Sequence, residues 1–222
     1  MHEFDIAHAE DVLIQASGVE LEGILNVPES AVGLVIFAHG SGSSRFSRRN
    51  RMVADYFNEQ GLGTLLFDLL TPEESAVDER TREFRFDIPR LGQRLVAAID
   101  WAAAQAETSS LNIGLFGAST GAAAALIAAA ERPEQVHAVV SRGGRVDLAG
   151  DALPRVQAPA LLIVGELDEE VIELNQKATE ALQGEFRLEI IPGATHLFEE
   201  RGKLEKVAMV TGEWFITHLD WG

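Results

Sequence analysis

Short apolar runs and longer stretches of helical character alternate along this chain. Residues 32–38 (VGLVIFA), 64–70, 111–116, 136–141, 160–165 and 186–191 are mostly apolar segments of strand length, as expected of strands buried on both faces. The intervening stretches 49–60, 87–105, 171–182 and 204–219 read as helices. The clearest is 87–105, where Asp87 caps the start, Pro89 sits in the first turn, and Leu91, Leu95, Ile99 and Ala102 keep one face apolar. Strands and helices alternate from residue 32 onward, so the predicted fold is α/β, a mainly parallel sheet with helices on both faces. Ahead of it, residues 11–16 and 19–27 flank Ser17-Gly18 and predict an antiparallel hairpin at the sheet edge. Residues 71–87 read as a long polar loop, a kind of segment that often carries function. With no repeats or linker tracts, residues 1–222 are expected to form one domain, and the 141–160 connection is too short for a separate lid.

The stretch LNIGLFGASTGAAAALIAAA, residues 111–130, organises the rest. A strand runs into Gly117-Ala118-Ser119-Thr120-Gly121 and an alanine-rich helix follows with no room for a loop. Small residues two before and two after a serine let strand and helix backbones approach closely and leave the serine exposed at a strained bend. The helix is apolar all round and should be buried. Such a serine is a candidate nucleophile.

In an open α/β sheet the chemistry gathers beyond the carboxyl ends of the strands. Asp168 follows one strand in LLIVGELD, and His196 follows another in PGATHLF. A serine hydroxyl needs a histidine to accept its proton and a carboxylate to orient and stabilise that imidazole. Asp68 and Asp147 also follow strands and compete with Asp168 for the acid's place. The oxyanion formed on attack needs preorganised amides. Thr120, next to the nucleophile, offers one, and the loop after His39 offers the other, from Ser41 or else Gly40; His39 itself is expected to shape that loop. His2 and His8 read as part of a frayed terminus, and His137 and His218 as surface or core residues. Glu166 and Glu169 read as solvated neighbours.

Composition narrows the chemistry by exclusion. The absence of cysteine removes disulfides, thiol catalysis and thiolate metal sites. A net charge of −17 argues against binding nucleic acid or an anionic membrane. No apolar run reaches a membrane span and no leader segment is evident, so a soluble, cytoplasmic protein is expected. No residue cluster has metal-ligand spacing, and GSGSS lacks the lysine of a phosphate loop, so neither a metal nor another cofactor is expected. Against the acidic background, Arg45, Arg48, Arg49 and Arg51 crowd the loop after His39, and Arg142 and Arg145 follow another strand. They either pair with surface carboxylates, which is the preferred reading, or hold an anionic substrate. Phe46, Phe84, Phe86, Leu197 and Phe198 are candidate walls of the substrate site.

The segments AHGSGSS, GASTG, LLIVGELD and PGATHLF together resemble the α/β-hydrolases, and among them the dienelactone hydrolase-like branch, from about residue 19 to the C-terminus. The resemblance implies an α/β-hydrolase fold with Ser119 as nucleophile, Asp168 as acid and His196 as base, in the order such enzymes use. Dienelactone hydrolase itself uses cysteine, whereas this chain carries serine, which points to ordinary esters. The expected activity is that of a serine carboxylesterase acting on small or medium acyl esters through an acyl-enzyme. A thioesterase or lactonase would use the same residues, and a non-catalytic scaffold binding a small ligand or a protein is the reading from a different class. Oligomeric state is left open.

Overall fold

The edge hairpin forms where the sequence supplies a turn for it. Strands β1 (Ala9–Ala16) and β2 (Val19–Asn26) pair antiparallel, and the two residues between them, Ser17 and Gly18, both have positive φ, 44° and 88°. That matches the two-residue turn whose twist suits a hairpin. A computed structural model describes residues 9–220, so His2 and His8 lie outside the described residues.

β2 continues antiparallel onto β4 (Gly63–Phe67). From there the sheet is parallel through β3 (Leu34–Ala38), β5 (Ile113–Ala118), β6 (Val136–Arg142), β7 (Ala160–Gly165) and β8 (Phe186–Ile191). Strand order is β1-β2-β4-β3-β5-β6-β7-β8. Every residue of β3, β4, β5 and β7 is buried, so their lack of alternation reflects cover on both faces.

Helices α1 (Arg48–Glu59) and α6 (Lys203–Leu219) cover one face. Their core includes Phe57 and Phe215, whose rings meet edge-on at 5.6 Å, with Phe37 5.8 Å from Phe57. The other face carries α3 (Ile88–Ala104) and α4 (Thr120–Glu131), with the end of α5 (Glu169–Thr179). Alanine dominates α4 because the sheet, α3 and the segment after β6 all press on it, and a larger side chain would hold them apart. The chain leaves β3 for β4 on one side and returns for β5 on the other. The ends of β3 and β5 therefore border a topological switch point, where such sheets place their ligands.

Two stretches depart from the expected pattern. Within the predicted loop 71–87 lies helix α2 (Pro72–Thr81). It starts with Pro72 and a capping box in which the Thr71 hydroxyl accepts from the Glu74 amide while Glu74 accepts from the Thr71 amide. Only Asp78 of this helix is buried, so it has no apolar stripe to betray it. Glu74 is gripped by Arg94 of α3, whose hydrogen bonds hold its carboxyl down to about 2. The second is the connection after β6, where Val146–Arg155 winds into 3₁₀ turns against α4. No described helix is long and apolar enough to cross a membrane.

Candidate active site

Ser119 sits between β5 and α4 at φ 51° and ψ −120°, a region that an L-residue occupies only under constraint. The constraint is visible on both sides. A Cβ on Gly117 would collide with Ala122, and one on Gly121 would collide with the carbonyl oxygens of Ala38 and His39. Backbone bonds to the next strand complete the hold: the Ser119 amide donates to the Arg142 carbonyl (3.2 Å), and the Arg145 amide donates to the Ser119 carbonyl (3.0 Å).

His196 reaches the serine from the loop after β8. Its Nε2 lies 3.1 Å from Ser119 Oγ, and its Nδ1 lies 2.6 Å from Asp168 Oδ2. A carboxylate beside Nδ1 keeps the proton there, which leaves Nε2 free to accept one from the serine. Asp168 stands at the N-terminal boundary of α5, just past β7, and its side chain makes no bond to the helix. The competing carboxylates are engaged elsewhere: Asp68 accepts from the Arg45 amide and guanidinium, at 2.7 and 2.5 Å, and Asp147 pairs with Arg145 at 2.9 Å.

The histidine's loop is held by carboxylates. Glu166 accepts from the Gly193 amide at 2.7 Å. Glu200 accepts from the Thr195 amide at 3.1 Å and from the Thr195 hydroxyl, and that hydroxyl bond leads the effects that lower the Glu200 pKa. Arg49 Nε donates to the Leu197 carbonyl at 3.1 Å, while Phe198 anchors the loop in the core. In the sequence Glu166 reads as a solvated neighbour, and nothing marks Glu200. Their partners are backbone groups brought near by the fold, and no motif marks them.

On the opposite side of the serine lies the loop after β3. A Cβ on Gly40 would come within 3.3 Å of the Ser119 Cβ, so this loop passes directly over Ser119. Ser41 Oγ lies 2.8 Å from Thr120 Oγ1 and donates to the Arg85 carbonyl at 3.2 Å. Thr120 is the first residue of α4, and its amide therefore has no acceptor within the helix. His39 is buried; the Leu69 amide donates to its Nε2 at 3.0 Å, so its Nδ1 carries the proton and donates to the Gly40 carbonyl at 2.8 Å. Burial lowers its pKa, and the neutral ring staples the loop to the end of β4.

A cleft of about 620 Å³ opens above these groups, walled by Gly40, Ser41, Phe86, Leu174, Leu197 and Arg142 among others. Arg45 and Phe84 are not among its lining residues. The Arg45 guanidinium binds Asp68 and Glu22 and lies over the Phe46 ring, and Phe84 lies beneath Arg90. His137 Nδ1 is 3.0 Å from the Gln135 carbonyl oxygen, and His218 Nδ1 is 2.8 Å from that of Trp214, both remote in the fold from the cleft's lining. No group of three or more His, Asp or Glu residues that could hold a metal occurs among the described residues.

The same arrangement of elements recurs in known proteins. The crystal structure of dienelactone hydrolase from Anabaena variabilis superposes with a TM-score of 0.94 at 56% identity, covering 95% of this chain and 98% of that one. An alpha-beta serine hydrolase homologue from Coxiella burnetii shares the fold at 22% identity, with a TM-score of 0.75 over 92% of this chain and 96% of that one. A Mycobacterium tuberculosis (strain H37Rv) protein bearing the name "Putative phosphoribosyl transferase" is 56% identical over 210 residues, 95% of this chain and 46% of its own length. The chain thus spans about half of that relative. The model of the dienelactone hydrolase family matches residues 21–214, and this chain belongs to that family.

Proposed function

We propose that the chain is a serine hydrolase acting on carboxylic esters, with Ser119, His196 and Asp168 as its catalytic groups. The observation that carries this reading is the continuous path from Ser119 Oγ to His196 Nε2 (3.1 Å) and from His196 Nδ1 to Asp168 Oδ2 (2.6 Å). His196 takes the serine proton as Oγ attacks the ester carbonyl, and Asp168 stabilises the imidazolium. The amides of Thr120 and Ser41 receive the oxyanion. His196 then protonates the leaving alcohol, and a water that it deprotonates releases the acyl group from Ser119. Gly40, Phe86 and Leu197 border the acyl and alcohol groups in this scheme. The transferase name of the mycobacterial relative describes a protein about twice as long, and the reading here rests on groups inside this chain.

The test is hydrolysis of p-nitrophenyl esters from acetate to decanoate by the wild type and by Ser119→Ala, with fluorophosphonate labelling in parallel. Loss of a triad nucleophile should lower kcat by about 10⁴- to 10⁶-fold and abolish labelling. Equal rates in two folded proteins would overturn the proposal.

A further inference from the structure

One short turn touches two of the three proposed catalytic groups. It runs from Arg142 at the end of β6 through Gly143 and Gly144 to Arg145. Its ends bracket the bend at Ser119, since the Arg142 carbonyl accepts from the Ser119 amide and the Arg145 amide donates to the Ser119 carbonyl. Its middle lies against the imidazole. Gly143, at φ 56°, comes so near the ring that a Cβ there would stand 3.3 Å from both Nδ1 and Cε1 of His196. A displaced turn would therefore disturb Ser119 and His196 together.

The turn has no apolar side chain with which to anchor itself in the core. Fit and hydrogen bonds hold it. The Gly143 amide donates to the Ile163 carbonyl of β7 at 2.7 Å, and Gly144 is wedged where a Cβ would collide with Ser141 Oγ and with Ala122 of α4. Arg142 is buried, pairs with no carboxylate among the described residues, and gives its Nη2 to Asn50 Oδ1 of α1 at 3.2 Å. The Gly144 carbonyl is met from another element, by Nδ2 of Asn175 at 2.9 Å.

Asn175 is fully buried in α5, two turns beyond Asp168. Its Nδ2 also donates to the Val171 carbonyl at 2.8 Å, whereas its Oδ1 has no partner. A buried acceptor left unmet is destabilising, and leucine, close to asparagine in size, would fill the space without one. Leucine could not hold the Gly144 carbonyl. The side chain is thus better suited to fastening the turn than to filling the core.

We infer that Asn175 is a positioning residue. By tying Gly144 to α5 it keeps Gly143 against the His196 ring and the Arg145 amide on the Ser119 carbonyl. The helix that starts after Asp168, the ring of His196 and the bend at Ser119 then move as one unit. The consequence for catalysis rests on the ester-hydrolase proposal; the placement of the imidazole does not.

The experiment compares the whole chain as wild type, Asn175→Leu and Asn175→Asp, the last having the same outline but presenting oxygen to the Gly144 carbonyl. On p-nitrophenyl butyrate, Asn175→Leu should lose about 10- to 100-fold in kcat through a misplaced imidazole, with KM changed by less than about twofold. An unchanged kcat, or a loss confined to KM, would overturn the inference. The second readout needs no activity: ¹⁵N-edited spectra of the histidine rings, with His196 assigned by its absence in His196→Gln. The wild-type ring should hold one tautomer, protonated at Nδ1 beside Asp168, and in folded Asn175→Leu it should sample both. A ring that keeps the single tautomer in the variant would overturn the inference. Should the wild type hydrolyse no ester, the esterase reading fails and the ring spectrum alone decides the role of Asn175. Should Asn175→Leu fail to fold, Asn175→Asp is judged by the same two readouts, with the same outcomes expected.

Discussion

The two halves of the proposed catalytic relay are held by different forces. Around Ser119 the restraint is steric: Gly117 and Gly121 are the only residue type that fits between β5, α4 and the end of β3. Around His196 a core contact, through buried Phe198 and the close pass of Ala194 and Thr195 over Gly165, is joined by polar grips, in which Glu166, Glu200 and Arg49 hold backbone groups of the loop. Steric contact between buried backbones is indifferent to pH and salt, whereas a charge-assisted bond at the surface is sensitive to both. Ser119 is therefore fixed by the core, and His196 by its solution conditions as well as by its fold.

The largest effect should come from breaking the steric side. Gly121→Val drives a side chain into the carbonyls of Ala38 and His39 and should cost about 3 kcal/mol, read as a lower urea midpoint at unchanged slope, with activity falling alongside. A midpoint equal to the wild type would show that the elbow has slack.

On the polar side, Glu200→Gln should leave the fold nearly intact yet lower kcat about 10-fold through a misplaced imidazole. The same contact has a pH signature. The Glu200 pKa is lowered by its bond to the Thr195 hydroxyl, so its hold on the loop is complete above the ordinary glutamate value of 4.5 and is lost as pH falls through the depressed one. Hydrogen exchange at the Thr195 amide, corrected for its intrinsic rate, should accelerate over that interval in the wild type and show no such step in Glu200→Gln.

The smallest effect concerns a neutral polar clamp. His39 is neutral and its pKa is lowered from 6.5 by burial. The unfolded chain takes up a proton first as pH falls, so this contribution is complete above 6.5 and declines below it toward the folded value. Replacement by Gln should flatten the acid limb of the stability curve between those two values. An unchanged limb would place the sensitivity in other groups.

The same contrast separates what the sequence makes legible from what it does not. The elbow was legible because a steric requirement leaves its mark on residue type: two glycines flank a serine between a β-run and an alanine run. Asp168 was distinguishable from Asp68 and Asp147 only through the family resemblance, since all three follow strands; in three dimensions Arg45 and Arg145 occupy the other two. Helix α2 was missed because its stability comes from a capping box and an ion pair with Arg94, not from an apolar face. Its Thr71-Pro72-Glu73-Glu74 start was a signal within reach. Arg142 and Arg45 looked alike in sequence, because burial and pairing depend on which carboxylates distant segments bring up.

The backbone of Ser119 places stability and the proposed activity in opposition at one residue. At φ 51° and ψ −120° a glycine would rest more easily than a serine. A copy of this chain released from any demand on its chemistry would drift toward glycine there and gain melting temperature by doing so. The serine is thus a residue the fold tolerates and does not itself favour.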